Sequence, residues 1–159
     1  LDVGCGPKLS TPDPACGLVG LDISATYAET FASSEPMRTS AVAASATELP
    51  FEDGSFVECR TFGLFHHLDD ASVRQSILEM KRVLAPGGRM LVLDNIWPEP
   101  IIRRPLAWIT RKMDRGEWIR QEHELRSLVE DTCPGQWSSA RHTYSYTGLE
   151  LLVLQYGST

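Results

Sequence analysis

The chain reads as an α/β fold, a three-layer sandwich about a mostly parallel sheet that ends in an antiparallel hairpin. Three observations predict it. Short apolar segments alternate with helix-like ones, the pattern of βαβ units. The first apolar segment runs straight into a glycine turn, Gly4-Cys5-Gly6, and the second ends on an acid, Asp22. Near the end, two strand-like runs, 137–146 and 149–156, are joined by Thr147 and Gly148, the mark of a tight hairpin.

Taken in order, strands are expected at 1–3, 18–22, 39–43, 56–62 and 89–95. Between Gly6 and Gly17 stand Pro7, Pro12 and Pro14, which cannot sustain a long helix, so that crossover is short or irregular. The clearest helix runs over 70–84, with Asp69 or Asp70 as its cap and Val73, Ile77, Met80 and Leu84 on one face. Pro86, Gly87 and Gly88 then stop it and turn the chain into the next strand. Met90 to Leu93 is apolar on both faces, as a buried central strand requires, and Asp94 and Asn95 place polar groups at its carboxyl end.

With 159 residues the chain has room for one domain with a sizeable core, a domain of that size burying roughly 70% of the surface its unfolded chain exposes. A net charge of −6 argues against a broad basic face for nucleic acid. Cys5, Cys16, Cys59 and Cys133 show no Cys-x-x-Cys spacing, so no metal site or redox pair is indicated, and reduced thiols in a cytoplasmic protein are expected. No apolar run reaches the roughly 18 residues of a membrane span.

Ligands in open α/β sheets bind beyond the carboxyl ends of the strands. Gly4 to Gly6, Asp22, the segment Thr61, Phe62 and Gly63, and Asp94 with Asn95 should therefore gather on one edge. Gly4 and Gly6 carry no Cβ and let the backbone turn sharply beside a ligand, and Asp22 can accept both hydroxyls of a ribose.

Further motifs follow in register: Ala44-Ser45-Ala46-Thr47-Glu48-Leu49-Pro50-Phe51, then Glu52-Asp53-Gly54-Ser55-Phe56, then Leu64-Phe65-His66-His67-Leu68, and finally Arg82 through Arg89. Together they resemble the class I S-adenosylmethionine-dependent methyltransferases, in the small-molecule branch that includes the ubiquinone and menaquinone methyltransferases. The resemblance covers roughly the first three-fifths of the chain. It implies a Rossmann-like sandwich with seven strands and S-adenosyl-L-methionine as cofactor. By that resemblance, Gly4, Cys5 and Gly6 would border the methionine part, with Asp2 holding the turn or reaching the amino group through water. Asp22 would take the ribose hydroxyls, or else cap the next segment through Ser24, and Ile23 would lie against the adenine. Ser45, with Ala46 and Thr47 beside it, stands where the family usually has an Asp for the adenine amino group. Lys8 replaces the family's third glycine and Val57 a common Asp.

The resemblance further implies one methyltransferase domain over 1–159, without the helices that usually precede this motif, and an acceptor-side insertion at 96–125. Trp97, Trp108 and Trp118 stand there among Arg103, Arg104, Arg111, Lys112, Arg115 and Arg120, which suits an anionic or lipid-like small molecule or contact with a membrane surface, or alternatively a solvated amphipathic helix with buried tryptophans. Methyl transfer is an in-line displacement on an activated carbon, so the protein contributes chiefly by holding donor and acceptor together. A base is needed only where the acceptor arrives protonated. His66 follows the fourth strand, on the acceptor side in the family, and is the candidate base or substrate contact, with packing or capping as its alternative. Two other functions stay open: a non-catalytic methyltransferase-like binding module, and a nicotinamide-dependent oxidoreductase, which shares the strand, glycine turn and distal acid. Lys8 and Leu9 stand against the latter, where its last glycine belongs.

Overall fold

A computed structural model describes residues 1–7, 17–34, 39–98, 109, 111–112, 116–144 and 149–157. Seven strands form one sheet: β1 (Asp2–Val3), β2 (Leu18–Asp22), β3 (Thr39–Ala43), β4 (Phe56–Phe62), β5 (Leu84–Ile96), β6 (Trp137–Thr143) and β7 (Glu150–Tyr156). Their order is β3-β2-β1-β4-β5-β7-β6. The first five pair in parallel, β7 runs antiparallel to β5, and β6 antiparallel to β7. The chain builds outward from β1 to β3 and then crosses back to β4 on the other side of β1. The carboxyl ends of β1 and β4 thus flank the switch point where such sheets open a crevice.

Among the described residues, the helices with both ends traced are α1 (Ala25–Ser34), α2 (Asp70–Val83) and α3 (Glu122–Thr132), with a 3-10 turn at Phe65–His67. Asp69 caps α2 by accepting the Ser72 N–H at 2.8 Å, and Val73, Ile77, Met80 and Val83 bury the helix's apolar stripe. That stripe packs with Leu125, Leu128 and Val129 of α3 in one core with Val3, Leu21, Val92 and Leu154, which lie level on one sheet face. On the opposite face Phe31 of α1 packs with Cys5 and Leu18. Gly20 makes room for it, since a Cβ there would stand 2.6 Å from the Phe31 ring and 2.8 Å from the Cys5 sulfur.

Several boundaries differ from expectation. β1 is limited to Asp2 and Val3. The helix expected over 70–84 ends at Val83, and the strand expected at 89–95 starts as early as Leu84. Leu84 pairs with Phe56, the ladder slips, and pairing resumes at Arg89 opposite Glu58. The slip has a local cause: Pro86 has no N–H to donate, and Gly87 sits at φ +75°. Helix α1 goes beyond the expected elements, and α3 begins at Glu122, inside the last residues assigned to the insertion. β6 is traced to Thr143, and residues 145–148 of the expected hairpin lie outside the described residues. So do Lys8 through Cys16 and, in the insertion, Arg103, Arg104, Trp108 and Arg115.

Candidate cofactor and acceptor site

The glycine turn leaves β1 with Gly4 and Cys5 both donating to the Leu21 carbonyl, at 2.7 and 3.0 Å. Gly4 and Gly6 have φ of +71° and +60°, in the left-handed region that favours glycine. A Cβ on Gly6 would meet nothing within 4 Å, so the turn borders open space, whereas one on Gly4 would press Leu64 at 2.9 Å. Cys5 turns its thiol inward, and burial pushes it up to about 12, with the Asp2 and Asp22 charges adding to the effect.

Asp22 ends β2 with both oxygens engaged: Oδ2 accepts the Gly6 N–H at 3.0 Å and Oδ1 the Ser24 N–H at 2.9 Å. It therefore ties the glycine turn to the start of α1, and each oxygen keeps a lone pair for a further donor. Ile23 beside it is 82% exposed, an apolar side chain displayed at the edge. After β3, the Ser45 hydroxyl turns back into its own loop, 2.7 Å from the Thr47 hydroxyl and 3.2 Å from the Thr47 N–H, with Ala46 half-buried between them.

Asp2 is wholly buried and Arg60 nearly so. The Arg60 Nε and Nη2 both donate to Asp2 Oδ2, at 3.2 and 3.1 Å, while Oδ1 of the same carboxylate has no partner. Burial pushes the Asp2 carboxyl up, and the Arg60 charge opposes that shift. Beyond Phe62, Gly63 has φ +63° and donates to the Leu93 carbonyl at 2.8 Å. Thr61 points into the α2 side, its buried hydroxyl unpartnered.

His66 is 5% exposed in the 3-10 turn, and its Nδ1 lies 2.6 Å from Asp94 Oδ1. The same carboxylate accepts the Phe65 N–H at 2.5 Å through Oδ2 and the Asn95 N–H at 2.7 Å through Oδ1. An ionised carboxylate only accepts, so Nδ1 carries the proton and Nε2 the lone pair of the neutral ring. Nε2 is flanked by ring carbons that face glycines: a Cβ on Gly63 would lie 3.4 Å from Cε1, and one on Gly116 2.3 Å from Cδ2. The Asn95 amide nitrogen lies 3.5 Å from Nε2. Arg120 fixes the turn from the other side, donating to the carbonyls of Phe65 and Leu68 at 2.8 Å each and pairing with Asp70 at 2.7 Å. Arg111 donates to the Glu150 carbonyl at 2.9 Å. Arg111 and Arg120, among the described residues of the insertion, are thus engaged in holding the fold. Trp118 is half exposed and, with Arg120, Asp69, Asp70, Glu117 and Glu124, lines a separate groove at the N-termini of α2 and α3 that none of the glycine-edge residues lines.

The structure brings Gly4, Cys5, Gly6, Asp22, Ile23, Ser45, Ala46, Thr47 and Gly63 to the ends of adjacent strands, with His66 beyond β4. Residues 1–92 match the family model described as a methyltransferase domain. The chain belongs to that family. It is 30% identical over 117 residues to the demethylmenaquinone methyltransferase of Lactiplantibacillus plantarum, covering 71% of this chain and 45% of the relative. A methyltransferase structure from Methanosarcina mazei, described as S-adenosylmethionine-dependent, superposes with a TM-score of 0.68 at 19% identity, covering 98% of this chain and 90% of the other. Geranyl diphosphate C-methyltransferase from Streptomyces coelicolor superposes with a TM-score of 0.66 at 15% identity over 99% of this chain and 71% of the other. That structure contains Mg2+, geranyl diphosphate and S-adenosyl-L-homocysteine. These superpositions establish the shared fold, that of the class I S-adenosylmethionine-dependent methyltransferases. The chain spans between about a quarter and about half of the length of the curated relatives it matches. His66 and the edge residues are named from the sequence, whereas the Arg60–Asp2 pair and the contact of Asp94 with His66 are not. Both rest on contacts between distant positions, 58 and 28 residues apart.

Proposed function

We propose that this chain transfers the methyl group of S-adenosylmethionine to a small-molecule acceptor that approaches over the ends of β4 and β5, and that His66 accepts the acceptor's proton. The observation that carries this reading is the Asp94–His66 pair beside the glycine edge. The edge fits the cofactor on its own features: open space at Gly6, lone pairs on Asp22 for ribose hydroxyls, Ile23 displayed for a planar ring, and a buried carboxylate oxygen on Asp2 without a partner. Ser45 and Thr47 would meet the adenine edge through backbone groups, their hydroxyls being turned to each other. When bound, S-adenosylmethionine supplies a methyl carbon already activated by its sulfonium.

His66 does the remaining chemistry. Its Nδ1–H is fixed on Asp94, so Nε2 is the basic nitrogen, and the imidazolium formed on proton uptake is stabilised by the same carboxylate. An acceptor bearing an ionisable O–H, or an acidic C–H, benefits from such a base. The free thiols of Cys5, Cys59 and Cys133 support a cytoplasmic setting, and no helix among the described residues is long and apolar enough to cross a membrane. The aromatic and basic composition of segment 96–125, with Trp97, Trp118, Arg111 and Lys112, supports a partly apolar, anionic acceptor.

The test is a screen of hydroxylated quinones, phenols and prenyl compounds for release of S-adenosylhomocysteine. His66→Gln is expected to lower turnover on the order of 10²-fold or more while leaving S-adenosylhomocysteine affinity within about twofold, since no contact to the donor is lost. Unchanged turnover in that variant contradicts the base role.

A further inference from the structure

Arg60 is the nearly buried cation on the central strand β4, and the way it holds Asp2 is lopsided. Both of its bonds go to one carboxylate oxygen, Oδ2. The other, Oδ1, is buried and has no partner, the arrangement that a buried carboxylate tolerates least. A bidentate fork would have satisfied both oxygens. Asp2 lies two residues before the glycine turn, and both its charge and that of Asp22 are felt at Cys5 inside that turn. Asp2, Asp22 and Arg60 together carry one excess negative charge, which a single ligand cation would balance.

We propose that Arg60 is a positioning residue for the amino-acid end of the donor: it occupies Oδ2 of Asp2 and so leaves Oδ1 for the donor's ammonium group, directly or through one water. The inference rests on the reading that the glycine edge binds S-adenosylmethionine. A purely structural clamp between β1 and β4 would be served as well by two apolar side chains of similar size. Such a clamp gives no reason for one carboxylate oxygen to remain buried and unpaired.

Two ligands separate these roles, S-adenosylhomocysteine and 5′-methylthioadenosine, which share the nucleoside but differ in the amino-acid end. Calorimetric titration of the wild type, Arg60→Met and Arg60→Lys gives the comparison, with circular dichroism confirming that each variant is folded. Arg60→Met is expected to weaken S-adenosylhomocysteine at least tenfold and to leave 5′-methylthioadenosine within twofold. Arg60→Lys, which keeps the charge but loses the planar fork, should fall between, and it carries the comparison if Arg60→Met does not fold. Equal losses for both ligands, or no loss for either, overturn the proposal. A wild type that binds neither ligand contradicts the donor reading itself, and is told apart because it appears before any substitution is made.

Discussion

Cys5 stands in the middle of the glycine turn, yet its chemistry is that of a core residue. Its sulfur faces Phe31 and Gly20, it is 5% exposed, and burial pushes the thiol up to about 12. The thiolate fraction near neutral pH is accordingly negligible. Peptide mapping after iodoacetamide treatment of the folded protein at pH 8 should find Cys5 unmodified, and Cys5→Ala should leave cofactor affinity within about twofold. Rapid alkylation of Cys5 would contradict this placement. Asp22 is read differently from a simple ribose contact, because it also holds the Gly6 and Ser24 N–H groups. Its removal loosens the turn as well as the ligand.

At the scale of elements, the loop over 49–53 between β3 and β4 is fastened to α2 by Glu79 and Arg82. Arg82 donates to Glu79 through two nitrogens at 2.8 and 2.7 Å, and reaches the carbonyls of Phe51 and Leu49 and the carboxylate of Asp53. Glu79 in turn accepts the Leu49 N–H at 2.8 Å. Arg82, with a smaller part from that N–H, holds the Glu79 carboxyl below the usual carboxylate range. A folded-state value below the unfolded one means that the group stabilises the fold fully above the ordinary glutamate pKa and loses that contribution as the pH falls through the folded value. Urea midpoints measured down the acid limb should fall less steeply for Glu79→Gln than for the wild type. Parallel acid limbs would show that the clamp adds nothing. This loop carries the chain onward from the Ser45–Thr47 segment, so a change in it should also be felt at the adenine edge.

For the whole molecule, local pattern carried the sheet. β2, β3 and β4 fall where apolar runs bounded by turn residues put them, and the apolar stripe and Asp69 cap place α2. Helix α1 was hidden because only Ala28 and Phe31 of its ten residues are buried, too few to mark a face. Helix α3 did carry a signal, a capping box between Gln121 and Glu124 ahead of Leu125, Leu128 and Val129, but it overlaps a segment whose aromatic and basic composition pointed elsewhere. The glycine edge was legible because its residues lie at strand ends, where local sequence dictates position. The Arg60–Asp2 and Asp94–His66 pairs were not, since they depend on strand register. Arg60 stands level with Asp2 only because β4 pairs with β1 in that frame.

Whether this sheet edge is an S-adenosylmethionine site is decided by calorimetric titration of the chain with S-adenosylmethionine, S-adenosylhomocysteine and NADH, with Asp22→Ala as the paired variant. Micromolar binding of the first two, none of NADH, and a loss on the order of 2 kcal/mol in the variant, about thirtyfold in affinity, are expected. Binding of NADH instead, or affinity for S-adenosylmethionine that is unchanged in Asp22→Ala, would contradict that assignment.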